Sequence, residues 1–267
     1  MEITLIQGIM LTIMTIIVGL DFFLEAFFIF RPLIVSTLTG LILGDLTLGL
    51  KVGALIELAF AGLTPAGGTQ PPNPVFAGLM GTVLAYTTGS SPQTALGLCL
   101  PFSFLGQYVI LFYYSAFSFF MGKADRCAAQ ADVKGIAKIN FATMAIISLT
   151  YGVLAFLCTY VAQQPMADFV NSLPAVITHG LEVAGGILPA VGFGMLLRVM
   201  MKVKYIPYFI AGFLMACFCV MPNLLPVALL GSVFALIDFF GAKQRKDEIE
   251  EAVKNSSNGG GSSHVGI

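Results

Sequence analysis

The chain has 267 residues, 57% hydrophobic and only 10% charged, where an ordinary soluble domain carries about 25% charged residues. A formal net charge of −1 leaves no basic surface for a nucleic acid. Apolar sequence runs through nearly the whole length, with a mean hydropathy of +0.91, which excludes a sizeable soluble domain and reads as an all-α polytopic membrane protein. The five cysteines include no CxxC pair and there are two histidines, so they read as buried thiols, and neither a metal nor a cofactor is expected.

The apolar run 3–20 is long enough for a first span. Glu2 precedes it without a basic region, so it does not read as a cleavable signal of the usual kind. Residues 21–32 follow as DFFLEAFFIFRP. Asp21 and Glu25 are four apart, so on a helix both carboxylates share one face. Arg31 then either neutralises a nearby acid at an interface, or one carboxylate serves a polar cavity as a hydroxyl acceptor or gate. After the apolar run 33–43, Gly44-Asp45 marks a turn and Lys51 precedes Glu57.

The stretch 55–75, LIELAFAGLTPAGGTQPPNPV, is the pivot of the chain. It opens apolar around Glu57 and then breaks into Gly, Pro and small polar residues, with Gln70 and Asn73 among prolines 71, 72 and 74. A helix cannot continue there, because each proline removes a donor and clashes with the preceding turn. No Lys, Arg, Asp or Glu lies between Glu57 and Lys123, so nothing anchors the break at a water interface. It reads as irregular backbone at membrane depth, which is tolerated where it lines a cavity within protein and is the best sequence pointer to a transporter binding site.

Residues 75–86 resume the apolar pattern and 87–93 form a neutral polar loop. A long span over 94–121 contains Pro101 and Gln107, and 122–138 reads as the first hydrophilic loop. A clean span covers 141–161, helix breakers Pro165 and Pro174 punctuate 163–178, and 181–197 is a second Gly/Pro-rich membrane segment. The runs 205–220 and 224–240 form a hairpin closed by Met221-Pro222-Asn223. Residues 1–240 are therefore the membrane-embedded part, and 241–267 a polar tail, helical at first and disordered at its end. Loops 122–138, 198–204 and 243–254 hold eleven of the thirteen Lys and Arg. An even number of crossings separates them, so the positive-inside rule makes their side, and the tail, cytoplasmic.

The segment after Glu182 repeats features of the one after Glu57: a lone glutamate, a small-residue run that includes Gly186, then Pro189-Ala190 matching Pro65-Ala66. This fits two repeated halves whose broken, re-entrant helices meet at a midplane site; tight helix packing explains the small residues equally. Glu57, Gln70, Asn73 and Glu182 could exchange hydrogen bonds with sugar hydroxyls. His179, one turn before Glu182, reads as its partner, as bonded to an interface carbonyl, or as a group for proton-coupled chemistry.

The stretches GLDFFLEAFFIFRPLIVSTLTGLILGD, GALIELAFAGLTPAGGTQPPNP and THGLEVAGGILPAVGFGMLLRVMM resemble the IIC membrane subunit of the mannose-family sugar phosphotransferase system, over roughly residues 4–240. Within that family the likeness is to the N-acetylgalactosamine/galactosamine type. It implies an elevator-type core moving against an oligomerisation scaffold. It also implies a IID membrane partner, a homotrimer of IIC within a IIC–IID hetero-oligomer in the bacterial inner membrane, and phosphorylation of the arriving sugar by cytoplasmic IIB charged by IIA. The chain would then be a transport subunit with no phosphoryl-carrying or catalytic residue. The resemblance implies sugar contacts at Glu57 and Asn73, then Gln70, Asp21 and Gly186, with Glu25, His179 and Glu182 as gating or second-half candidates. Competing expectations are a IIC for mannose, sorbose or fructose, an ion-coupled transporter using Glu57 and Glu182, and a purely structural subunit; an intramembrane enzyme fits least.

Overall fold

A computed structural model describes residues 2–63, 71–218 and 225–258, the last seven of these by backbone alone. Those residues are helical almost throughout, and five helices are long and apolar enough to cross a membrane. The chain divides into two units, Met1–Val199 and Met200–Ile267.

In the first unit α1 (Leu5–Leu24) starts from a capping box in which Thr4 and Gln7 satisfy each other's main-chain and side-chain groups. It runs one turn past the expected end and carries Asp21 into the core at 4% exposure. Helices α2 (Pro32–Leu43) and α3 (Leu46–Phe60) form a tight hairpin. Gly44, at φ +90°, closes α2 in the left-handed conformation that glycine adopts without strain, and the Asp45 side chain caps α3. At about 18 and 22 Å, neither helix alone spans a hydrocarbon core of about 30 Å. Their approach is set by small residues: a Cβ on Gly40 would lie 2.8 Å from the Gly49 Cα, and one on Gly53 would lie 2.8 Å from the Ser36 Cβ. Gly49 and Gly53 form a G-x-x-x-G pair facing Ser36 and Gly40.

Helix α4 (Pro74–Thr88) begins at the far side of the break, with Pro74 at its first position, where its missing N–H costs nothing. It is the most deeply buried helix, packed against α2, α3 and α5. Helix α5 (Pro92–Ala116) is capped by Ser91 and carries Pro101 internally. The expected hydrophilic loop 122–138 is itself folded. Most of it belongs to α6 (Ser118–Ala129) and the first turns of α7 (Val133–Phe156), joined where Asp132 caps α7. Helix α7 packs on α1 and ends in a π-helical turn, Leu157–Val161.

Helix α8 (Gln163–Ser172) tolerates Pro165 in its first turn, where N–H groups lack helical partners anyway. Its Gln163 amide holds the main chain of Ile3 from both sides, accepting from the N–H at 2.7 Å and donating to the carbonyl at 3.1 Å. Helix α9 (Ala175–Met200) corrects the expectation of a second broken segment, because it passes unbroken through Gly185, Gly186 and Pro189. One internal proline removes one hydrogen bond from a long apolar helix, whereas three in four residues stop it. Gly185 and Gly192 lie close against the main chain of Gln93 and of Leu58 and Ala59, where a side chain would not fit.

In the second unit a 3-10 turn, Val203–Tyr205, leads into α10 (Ile206–Phe218), and α11 follows (Leu225–Asn258). Lys204 lies 4.0 Å from Asp238, the Tyr208 and Phe234 rings are 5.8 Å apart, and Gly212 is beside Val227. Rising numbers on one helix meet falling numbers on the other, so the two pack antiparallel as the hairpin requires. Its expected Met221-Pro222-Asn223 turn lies outside the described residues, as does the end of the tail expected to be disordered. Helix α11 carries the apolar segment directly into the polar one.

Candidate functional site

Four chain segments converge beside the break: the end of α1 with loop 25–31, the start of α2, the last turns of α3 and the start of α4. Asp21 builds the first. Its Oδ1 accepts from the Phe27 N–H at 2.8 Å and its Oδ2 from the Ile29 N–H at 2.7 Å, while its carbonyl accepts from the Glu25 N–H. Those bonds hold a loop containing two non-glycine residues at positive φ, Glu25 at 48° and Phe28 at 57°. Such a conformation is uncommon for a bulky side chain and persists where the surroundings over-determine it. Asp21 and Glu25 therefore do not share a helix face as expected. The helix stops at Leu24, Asp21 is buried, and Glu25 is exposed on the turn.

The loop delivers Arg31 to the start of α2, and Arg31 pairs with Glu57 of α3 rather than with Asp21 or Glu25. Its Nε donates to Glu57 Oε1 at 2.7 Å and its Nη2 makes a second close contact with the same oxygen. Glu57 Oε2 accepts from the Leu33 N–H at 3.2 Å. The carboxylate thus sits against the first turn of α2, where free N–H groups and the helix dipole favour negative charge. The pair is open on one side: the Arg31 side chain is 42% exposed and that of Glu57 22%.

Asn73 closes the other end of the break and is fully buried. Its Oδ1 accepts from the Val75 and Phe76 N–H groups, capping α4, and its Nδ2 donates to the Tyr151 hydroxyl at 2.6 Å. Its main chain is bound to Ser103 of α5 in both directions: the Asn73 N–H donates to the Ser103 carbonyl at 3.0 Å, and the Ser103 hydroxyl donates to the Asn73 carbonyl at 2.8 Å. Gly106 makes room, since a Cβ there would stand 2.7 Å from both the Asn73 Cβ and the Phe76 ring. Tyr151 is sealed among Phe23 and Phe76, with ring centroids 6.0 and 5.2 Å away.

The other sequence candidates lie apart from this cluster or outside view. His179 Nδ1 and Glu182 Oε2 are 3.8 Å apart on an exposed face of α9. A Cβ on Gly186 would meet open space. Gln70 lies outside the described residues. Among those residues no three His, Cys, Asp or Glu gather to hold a metal ion. Arg31, Ser103, Gly106 and Tyr151 are the site-building residues that sequence reasoning missed. Charge balance was an available signal for the first, because Arg31 is the only basic residue before Lys51 in a region that carries Asp21, Glu25, Asp45 and Glu57. No sequence signal marks Tyr151.

Chemically, the cluster offers a carboxylate that only accepts hydrogen bonds beside a guanidinium that only donates them. The pair is net neutral and partly exposed. That arrangement suits an uncharged polyol better than an ion.

A family model described as the PTS system sorbose-specific IIC component matches residues 5–237. The chain is 59% identical over 256 residues to the N-acetylgalactosamine permease IIC component 1 of Escherichia coli K12, covering 96% of each. A solved structure described only as a membrane protein superposes with a TM-score of 0.80 at 27% identity, covering 89% of this chain and 96% of the other. A cryo-electron-microscopy structure of the mannose transporter ManYZ with microcin E492 includes a chain that is 28% identical, with a TM-score of 0.58, covering 90% of this chain and 96% of that one.

Proposed function

The chain belongs to the sorbose-type IIC components of the sugar phosphotransferase system, and from that premise we propose that it imports N-acetylgalactosamine or galactosamine. The observation carrying the choice of sugar is the identity of 59% to an N-acetylgalactosamine permease across nearly the whole chain, against 28% to the ManYZ chain. The sugar enters with Glu57 accepting hydrogen bonds from its hydroxyls and Gln70 adding a contact. Asp21 and Asn73, whose polar atoms are taken up by neighbouring chain, instead hold loop 25–31 and the start of α4.

The chain works with a IID membrane subunit, within a hetero-oligomer containing three IIC chains, and its core moves elevator-fashion. A cytoplasmic IIB, charged by IIA, phosphorylates the arriving sugar. The basic loops and the tail face the cytoplasm of a bacterial inner membrane, which the positive-inside rule supports. The test is uptake of labelled N-acetylgalactosamine by cells supplying IIA, IIB and IID, in competition with unlabelled sugars. N-acetylgalactosamine or galactosamine should compete and mannose, sorbose and fructose should not; the reverse order would overturn the choice of sugar.

A further inference from the structure

The ion pair at the break is more than packing requires. The α2–α3 hairpin is already held by the glycine contacts at Gly40, Gly49 and Gly53. Elsewhere, apolar replacement of both members of a buried pair is often neutral or stabilising. Nor is the pair sealed as a structural brace would be, since 42% of the Arg31 side chain is exposed. A guanidinium carries more N–H donors than the two spent on Glu57 Oε1. The backbone presenting it is fixed by the two bonds from loop 25–31 to Asp21 and by Pro32 at the first position of α2. A donor group is thus held rigidly beside an acceptor group, with hydrogen-bonding capacity left over.

We infer that Arg31 is a sugar-contacting residue of the same site, aiming the Glu57 carboxylate and donating its remaining N–H groups to an oxygen of the substrate. The inference rests on the reading of Glu57 as the sugar acceptor. A hydroxyl both donates and accepts, so neighbouring ring oxygens are recognised best by an acceptor and a donor side by side. Because the two charges cancel, a neutral sugar meets no net charge, and the loaded site crosses low-dielectric surroundings without carrying one.

The test uses the full IIC–IID complex in cells with IIA and IIB, reading uptake kinetics and, separately, the amount of assembled complex. Arg31→Lys keeps the charge and loses the planar fork. It should raise the KM for uptake about tenfold, or about 1.4 kcal/mol, with the maximal rate and the amount of complex nearly unchanged. Arg31→Gln with Glu57→Gln removes both charges together, so no uncompensated ion remains to unfold the protein. It should assemble normally and lose uptake. An unchanged KM in Arg31→Lys, or wild-type uptake by the double variant, would show that the pair does not contact the sugar and overturn the inference. Failure of the underlying reading shows elsewhere. If the sugar is wrong, the wild-type complex takes up another hexose and the same variants are read with that one. If Glu57 is not the acceptor, Glu57→Gln alone transports with an unaltered KM.

Discussion

Asp21 was visible in the sequence as a rare acid at the end of an apolar run, but its task was not. Whether its carboxylate met a ligand, a cation or main chain depended on where α1 stopped. Two N–H groups that no helix could satisfy, those of Phe27 and Ile29, settled it. Asp21→Ala leaves both without an acceptor, at roughly 1–3 kcal/mol each. It should lower the thermal midpoint of the purified complex and, by loosening the loop that carries Arg31, raise the KM for uptake. Asp21→Asn keeps one accepting oxygen and should lose about half as much stability. Equal midpoints for wild type and Asp21→Ala would show that the loop does not depend on this carboxylate. Glu57 is equally visible as a lone intramembrane acid, but its partner is not: one of two readings gives Arg31 to an acid nearby in sequence, and it reaches instead across to another helix.

Among the elements, α3 ends at Phe60 and α4 begins at Pro74, on either side of the first expected break, whose residues 64–70 lie outside the described residues, while the second expected break is absent from α9. Density of proline made the difference. Prolines 71, 72 and 74 leave no helical route, whereas Pro189 alone sits inside α9. The helices around the break were legible as apolar runs, but their close approach was not, because a glycine looks the same in sequence whether it faces lipid or a neighbouring backbone. Gly106 is such a case. A methyl there would press on Asn73 and Phe76 at 2.7 Å, displacing the side chain that caps α4. Gly106→Ala should therefore destabilise by about 1–3 kcal/mol, the usual cost of overpacking, read as a lower midpoint and less assembled complex. Gly186→Ala, with open space around it, should leave the midpoint unchanged. A tolerated Gly106→Ala would mean that α5 and the break do not pack as described.

Across the whole molecule, the class is written in composition, and the hairpin of α10 and α11 in two apolar runs separated by Pro222-Asn223. What the sequence could not show was how a carboxylate of α3, a guanidinium at the head of α2 and an amide at the head of α4 come to flank one break. Those placements depend on long-range packing, chiefly of α1 on α7 and of α2 on α3 and α4, that no local pattern encodes. The same packing makes the proposed site a property of the folded chain rather than of the 55–75 stretch alone. Removing one charge from the pair is expected to cost stability, roughly 3–5 kcal/mol for a buried pair and less for one this exposed, so affinity has to be measured on protein shown to be assembled. The most direct measurement is equilibrium binding of labelled N-acetylgalactosamine to the purified IIC–IID complex, comparing wild type with Glu57→Gln at matched assembly. Saturable binding to the wild type, weakened at least about tenfold in the variant (~1.4 kcal/mol), is the result expected; equal affinity in the two would contradict the account.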